Sequence, residues 1–374
     1  MKRLLIASDT FLPRWDGVSR FLNEVIPRLS SHFEIRVLAP DFRGEFAGYP
    51  DVEVIRCPLS GFKFADYQLP KLQNRLVSDA VDWADVVWTQ TIGPVGSLAI
   101  LAASRKKKPV IAYIHSIEWE LFPRSLRTFH AAKWLVHKSS VFISRFLYNK
   151  CNLLLVPSED VSRLLEAKGI RTVKKVVRLG VDTKLFNQPD SKAAAKMALG
   201  IDGKRLVVGF AGRIGLEKDL MTLYRAFGRV NRKYDCVLLI AGQDLAGVTE
   251  RFRQSSKVRI FGSTNNIAPY FQAMDVYVLS SLTETSSLST MEAMSCGLAV
   301  LVTPVGSVKE YVTDGYNGLF FPKQDAYQLA KKLDQLLADE ILRKRLGQNA
   351  RLAIVSRFSW QKTVDELRSV FERV

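Results

Sequence analysis

An arginine and a lysine stand five residues apart in the run Gly212-Arg213-Ile214-Gly215-Leu216-Glu217-Lys218, directly after the apolar run Val207 to Ala211. A glycine at the carboxyl end of a strand lets backbone approach a phosphate closely, and two cations across one turn can grip a diphosphate from two sides. Arg supplies a planar fork of donors and Lys a mobile point charge. The other reading of the run is a solvated turn that carries two cations. A second group, Glu284-Thr285-Ser286-Ser287-Leu288-Ser289-Thr290-Met291-Glu292, holds two glutamates with seven residues between them. Its small hydroxyl residues look like a helix amino end, where N–H groups and the helix dipole attract anionic oxygens. Glu284 then precedes the helix and Glu292 lies within it. One carboxylate can accept both hydroxyl protons of a ribose and the other the hydroxyls of a sugar ring, although two glutamates at this spacing are common by chance.

Two further stretches belong to the first half of the chain. Phe11-Leu12-Pro13-Arg14-Trp15-Asp16-Gly17-Val18 forms a long first turn, in which Gly17 would let a helix amino end come close to a ligand. An ordinary loop is the alternative. His115 directly follows the strand-like run Val110 to Ile114, at the sheet edge where open α/β folds bind ligands, though a lone strand-end His is more often structural. Neither first turn carries G-x-G-x-x-G, which argues against a dinucleotide dehydrogenase. Cys57, Cys151, Cys236 and Cys296 are scattered, with no metal-ligand spacing, and read as reduced core thiols. No metal is expected.

These residues must be positioned by a scaffold, and the chain's rhythm says which. Short apolar runs alternate with amphipathic stretches, the pattern of parallel strands covered by helices. Strands are expected at Leu4 to Ala7, Ile35 to Leu38, Val52 to Ile55, Asp85 to Trp88, Val110 to Ile114 and Leu153 to Val156. A second set is expected at Val207 to Ala211, Val237 to Ala241, Val258 to Phe261, Val276 to Leu279, Ala299 to Thr303 and Leu319 to Phe321. Between the sets lies a polar, Ala/Lys-rich stretch with Pro189 and Gly200. The fold class is α/β, two Rossmann-like domains with parallel sheets. Domains are expected at 1–178 and 207–356, with 179–206 as the interdomain passage and 357–374 as a closing helix. A chain of 374 residues with 47% hydrophobic content suits two cores. Met1-Lys2-Arg3 leads straight into a strand, and no apolar run approaches the ~20 residues of a membrane span, so a cytoplasmic protein is expected. The net charge of +17 implies an anionic partner.

In this order the motifs resemble the large family of retaining glycosyltransferases that includes lipid mannosyltransferases, glucosyl and sulfoquinovosyl diacylglycerol synthases and sucrose synthases. The likeness rests on Phe11 to Val18, His115, Val156-Pro157-Ser158, Gly180-Val181-Asp182, the Gly212-Arg213 to Lys218 run, and Glu284 with Glu292-Ala293-Met294 and Gly297. It implies a glycosyltransferase-B fold, two Rossmann-like domains facing across a cleft, and a metal-independent retaining hexosyltransferase. It also implies no cofactor beyond a UDP- or GDP-linked sugar as donor, with mannose or glucose the frequent sugars. By the same likeness Arg213 and Lys218 neutralise the departing diphosphate, Glu292 binds ribose and Glu284 holds the donor sugar. Gly212, Ser287 and Leu288 line the donor, Gly17 closes over the phosphates, and His115 meets the sugar or the incoming hydroxyl. Three positions depart from the pattern: Leu179 for Asn, Ser307 for a second Gly, and Ser287 for Gly, whose side chain can narrow the sugar pocket.

Between Leu121 and Lys150 stand Arg124, Arg127, Lys133, Lys138, Arg145 and Lys150 with no acidic residue, interleaved with Phe122, Phe129, Trp134, Phe142, Phe146 and Tyr148. Basic residues with large aromatics on helices suit an anionic membrane surface. Arg124, Arg127, Lys133, Trp134 and Lys138 are therefore the expected membrane or acceptor surface, with the acceptor a lipid and the protein peripheral on the inner face of the membrane. A packed helix pair with solvated cations is the alternative reading, a soluble acceptor another. Nothing resembles a nucleic-acid-binding module, and no nucleic-acid partner is expected.

Overall fold

The computed structural model describes residues 1–64, 67–71, 73–125, 130–245, 247–264 and 266–374, with the side chains of 64, 124, 125 and 130 left aside. The chain divides into two compact units, residues 1–179 with 360–374 and residues 180–359.

The first unit is built on a parallel seven-stranded sheet. Its strands are β1 (Lys2–Ala7), β2 (Phe33–Pro40), β3 (Val52–Cys57), β6 (Val86–Thr89), β7 (Val110–Tyr113), β8 (Leu153–Val156) and β9 (Lys174–Val176), in the spatial order β3-β2-β1-β6-β7-β8-β9. A separate antiparallel hairpin, β4 (Leu59–Phe64) and β5 (Tyr67–Pro70), follows β3. The helices are α1 (Gly17–Leu29), α2 (Asn74–Trp83), α3 (Pro94–Arg105), α4 (Glu118–Ser125), α5 (His130–Tyr148) and α6 (Glu159–Ala167), and the unit also takes in the last helix, named below. In α1 the apolar residues Phe21, Leu22, Val25, Ile26 and Leu29 recur every three or four positions and are all buried. The Asp16 side chain starts that helix by accepting from the backbone N–H groups of Val18 and Ser19 at 3.0 and 3.1 Å.

The second unit repeats the plan with six parallel strands: β10 (Leu206–Ala211), β11 (Cys236–Ala241), β12 (Val258–Phe261), β13 (Val276–Leu279), β14 (Ala299–Val302) and β15 (Leu319–Phe320), ordered β12-β11-β10-β13-β14-β15. Its helices are α7 (Lys192–Met197), α8 (Leu220–Val230), α9 (Ala268–Ala273), α10 (Leu288–Ser295), α11 (Val308–Tyr311), α12 (Ala326–Ala338) and α13 (Glu340–Arg357). The unbroken apolar strands β11, β13 and β14 are buried throughout, as parallel strands covered on both faces require.

Of the segment 179–206, expected as an interdomain passage, residues 180–205 are part of the second unit. Val181, Phe186 and Ile201 enter its core, and the Val181 N–H donates to Phe358 O at 3.1 Å. Two of the segment's lysines are turned inward: Lys196 pairs with Asp275 at 2.7 Å and Lys192 donates to Met274 O at 2.6 Å. A polar composition thus conceals a packed arm. The final helix, α14 (Trp360–Arg373), belongs to the first unit. There Phe371 packs on Trp88 and Phe33, with centroids 4.9 and 5.8 Å away, and Trp360 on Phe21 at 6.0 Å.

Candidate active site

In the second sheet the strand order reverses between β10 and β13, and open α/β sheets bind ligands at the carboxyl ends of strands at such a point. The loops leaving those two strands carry Arg213, Lys218 and Glu284. Beyond β10 the chain turns at Gly212, whose φ of +145° lies in the region that favours glycine. The neighbouring strand end comes so close that a Cβ at Gly242 would sit 1.9 Å from Gly212 O. After this turn a short 3-10 segment, Leu216–Lys218, precedes α8.

Both cations face carboxylates. Arg213 Nη2 lies 2.5 Å from Glu217 Oε1, and Lys218 Nζ lies 2.5 Å from Glu284 Oε1, which also accepts from Ser281 Oγ at 2.9 Å. Two further bonds lock the loops together: Leu282 N donates to Glu217 O and Ser280 Oγ to Lys218 O, both at 2.8 Å. The structure therefore brings Arg213, Lys218 and Glu284 into one cluster, close to the amino end of α10. Ser287 caps that helix, its hydroxyl accepting from Thr290 N at 3.3 Å and Thr290 Oγ1 at 2.9 Å. The Ser287 hydroxyl, which can narrow a sugar pocket, is bonded here to its own helix. Leu288 opens α10, and a Cβ at Gly212 would lie 3.6 Å from Ser289, so the two loops meet at the helix end. Glu292 lies on α10 with its side chain buried. Such an array of two cations and a helix amino end is suited to stabilising negative charge on a departing diphosphate.

Glu217 was not singled out by motif spacing. The available signal was an acidic residue between the two cations, one position before Lys218.

In the first unit His115 follows β7. Its ring stacks on Tyr113 with centroids 4.5 Å apart, meets the edge of Phe21 at 4.9 Å, and has Nε2 2.9 Å from Gln90 Oε1. Burial disfavours the imidazolium and pushes its pKa down to about 3, so the ring is neutral at physiological pH. Gly17 is the first residue of α1, and a Cβ there would meet nothing within 4 Å. The fold itself does not demand a glycine at that position.

Helix α5 keeps large apolar side chains on its exposed face as well as on its inner one. Ser140, Ser144, Leu147 and Tyr148 face the protein, whereas Trp134, Leu135, Phe142, Ile143 and Phe146 are 62, 60, 72, 47 and 50% exposed. Lys138 lies over the Trp134 ring at 5.8 Å and Lys150 over Phe146 at 4.7 Å. Lys133 is half-buried. Of the other expected surface residues, Arg127 lies outside the described residues, as does the Arg124 side chain. Among the described residues no helix is long and apolar enough to cross a membrane.

Residues 15–185 match the Glycosyltransferase Family 4 domain, and residues 191–353 match the Glycosyl transferases group 1 domain. The alpha-monoglucosyldiacylglycerol synthase of Streptococcus pneumoniae is 24% identical over 409 residues, spanning 100% of this chain and 90% of the relative. The chain spans about half the length of several other curated relatives. Among solved structures, sucrose-phosphate synthase from Thermosynechococcus elongatus is similar with a TM-score of 0.81 at 17% identity, over 100% of this chain and 99% of the other. Anabaena HepE in complex with UDP-glucose is similar with a TM-score of 0.78 at 18% identity, over 100% of both chains.

Proposed function

The chain belongs to the family 4 glycosyltransferases of glycosyltransferase-B fold, and from this we propose that it moves a hexose from a UDP- or GDP-linked sugar onto a lipid or lipid-linked acceptor at an anionic membrane surface. The observation that carries the acceptor side is the exposed face of α5. Five large apolar side chains on one helix, with Lys138, Arg145 and Lys150 beside them, match what an interfacial helix presents to headgroups and acyl chains. The likeness to a glucosyldiacylglycerol synthase over the whole chain supports the same reading. Such a protein works as a peripheral membrane enzyme on the cytoplasmic face.

On the donor side, Arg213 and Lys218 neutralise the leaving diphosphate, assisted by the amino end of α10. Glu284 holds the donor sugar, Glu292 the ribose, and Gly212, Ser287 and Leu288 line the donor. His115 and Gly17 serve the transfer from the first unit. These cations can stabilise the leaving diphosphate without a metal, and the family likeness supports a reaction that needs none and retains the configuration at the anomeric carbon. The neutral state of His115 suits it to accept a hydrogen bond from a hydroxyl.

The test is transfer of label from UDP-glucose and GDP-mannose, with and without chelator, to anionic vesicles containing diacylglycerol or to soluble sugars and sugar phosphates. Label entering the organic phase, unaffected by chelator and joined by the same anomeric linkage as in the donor, is the expected result. Label recovered in a glycoside of a soluble sugar or sugar phosphate, with none in the organic phase, would transfer the assignment to a soluble acceptor, a reading kept open by the structural likeness to a sucrose-phosphate synthase.

A further inference from the structure

Between the two cations of the candidate site stands a third charged residue, Glu217. The Glu217 carboxylate is almost wholly buried, with 5% of its side chain exposed, whereas the Arg213 side chain that it meets is 32% exposed. The pair therefore has its carboxylate inside and its guanidinium outside. Room for the carboxylate comes from Gly215, where a Cβ would fall 2.2 and 2.5 Å from the two Glu217 oxygens. The bonds that anchor this turn to the neighbouring loop, Leu282 N to Glu217 O and Ser280 Oγ to Lys218 O, do not use the Glu217 side chain. Burying a carboxylate is costly unless it is paired, so the ion pair with Arg213 is built into the turn.

We infer that Glu217 is a positioning residue for the transfer, holding the Arg213 guanidinium in the orientation that meets the donor diphosphate before the donor arrives. This rests on the donor assignment above. An arginine held in place in advance does not have to be ordered when the ligand binds, and a planar fork loses more than a point charge when it is misdirected. Glu217 makes no contact with the donor itself and acts through Arg213.

The test is calorimetric binding of UDP, GDP and inorganic pyrophosphate to the full chain and to the variants Glu217→Ala, Glu217→Gln, Arg213→Ala and the double variant Arg213→Ala/Glu217→Ala. Thermal melting checks that each variant folds. Glu217→Ala is expected to weaken the bound ligand by roughly three- to tenfold. Glu217→Gln, which keeps an acceptor oxygen, loses less. In the Arg213→Ala background Glu217→Ala has no further effect, because the residue through which it acts is gone. Tighter binding by Glu217→Ala would mean that the carboxylate competes with the ligand, and an undiminished loss in the Arg213→Ala background would mean a general structural role. Either result overturns the inference while leaving the donor assignment standing. Failure of the wild type to bind all three probes would bring down both.

Discussion

Replacing Phe142 and Phe146 together by serine removes two side chains that α5 holds out into solvent, 72 and 50% exposed. A phenylalanine carries on the order of 200 Å² of surface, so the pair presents roughly 240 Å² to its surroundings. At about 25 cal/mol per Å², complete burial of that area is worth ~6 kcal/mol. An interfacial helix sinks its apolar face only to the headgroup boundary, so about half of this, ~3 kcal/mol, is realised. That corresponds to about a hundredfold in vesicle affinity. The nearby cations Lys138, Arg145 and Lys150 add about 1 kcal/mol each on anionic lipid and nothing on neutral lipid. Co-sedimentation with anionic and neutral vesicles, at low and high salt, separates the two contributions. The double variant should lose about two orders of magnitude in affinity on anionic vesicles, keep its salt dependence, and melt where the wild type melts. Unchanged binding by the variant, or no binding of the wild type to anionic vesicles at low salt, would refute the membrane reading of this face.

Lys218→Ala, and separately Glu284→Ala, should lower kcat/KM by about 10²- to 10³-fold with the fold intact, and steady-state rates near the wild type in either would undo the site assignment. Gly17→Ala meets open space, so its melting temperature should hold or rise slightly while turnover falls at least about tenfold; equal turnover would leave Gly17 an ordinary helix start. Folded His115 titrates at about 3, below its unfolded value of 6.5, so between those values the unfolded chain binds the extra proton and stability falls as the pH falls. Urea unfolding of the wild type should therefore lose at most about 1.4 kcal/mol per pH unit below pH 6.5 relative to His115→Gln, and parallel pH profiles of the two proteins would contradict the burial of the ring.

The central strands of both sheets could be read from the sequence because a parallel strand buried on both faces is a continuous apolar run. The hairpin β4–β5 could not, since its residues alternate around Gly61, pair only with each other and leave Phe62 exposed. Nor could β9, three residues with two lysines at a sheet edge. The packing of residues 180–205 is hidden from the sequence for a related reason: composition reports how polar a lysine is, not that Lys192 donates to Met274 O and Lys196 pairs with Asp275. In the candidate site, the motif spacing led to Arg213, Lys218 and Glu284, because loops after adjacent strands must converge. It could not supply Glu217, whose significance lies in a burial that only the folded turn creates. For α5 the cations and aromatics were visible, but their direction was not. A helix can turn different stripes inward, and that Ser140 and Ser144 go in with Leu147 and Tyr148 while Phe142 and Phe146 stay out appears only in the folded structure.

Helix α14 gives the first unit a peculiar history during synthesis. Nascent chains emerge from the ribosome in order, and domains generally fold as they emerge. Here residues 1–179 leave the ribosome without the helix that covers Phe33 and Trp88, and the ribosome must make all of 180–359 before Phe371 can reach them. The second unit can therefore finish first although it is translated later. Until then, the first unit keeps an aromatic face uncovered, a natural place for a chaperone to hold on.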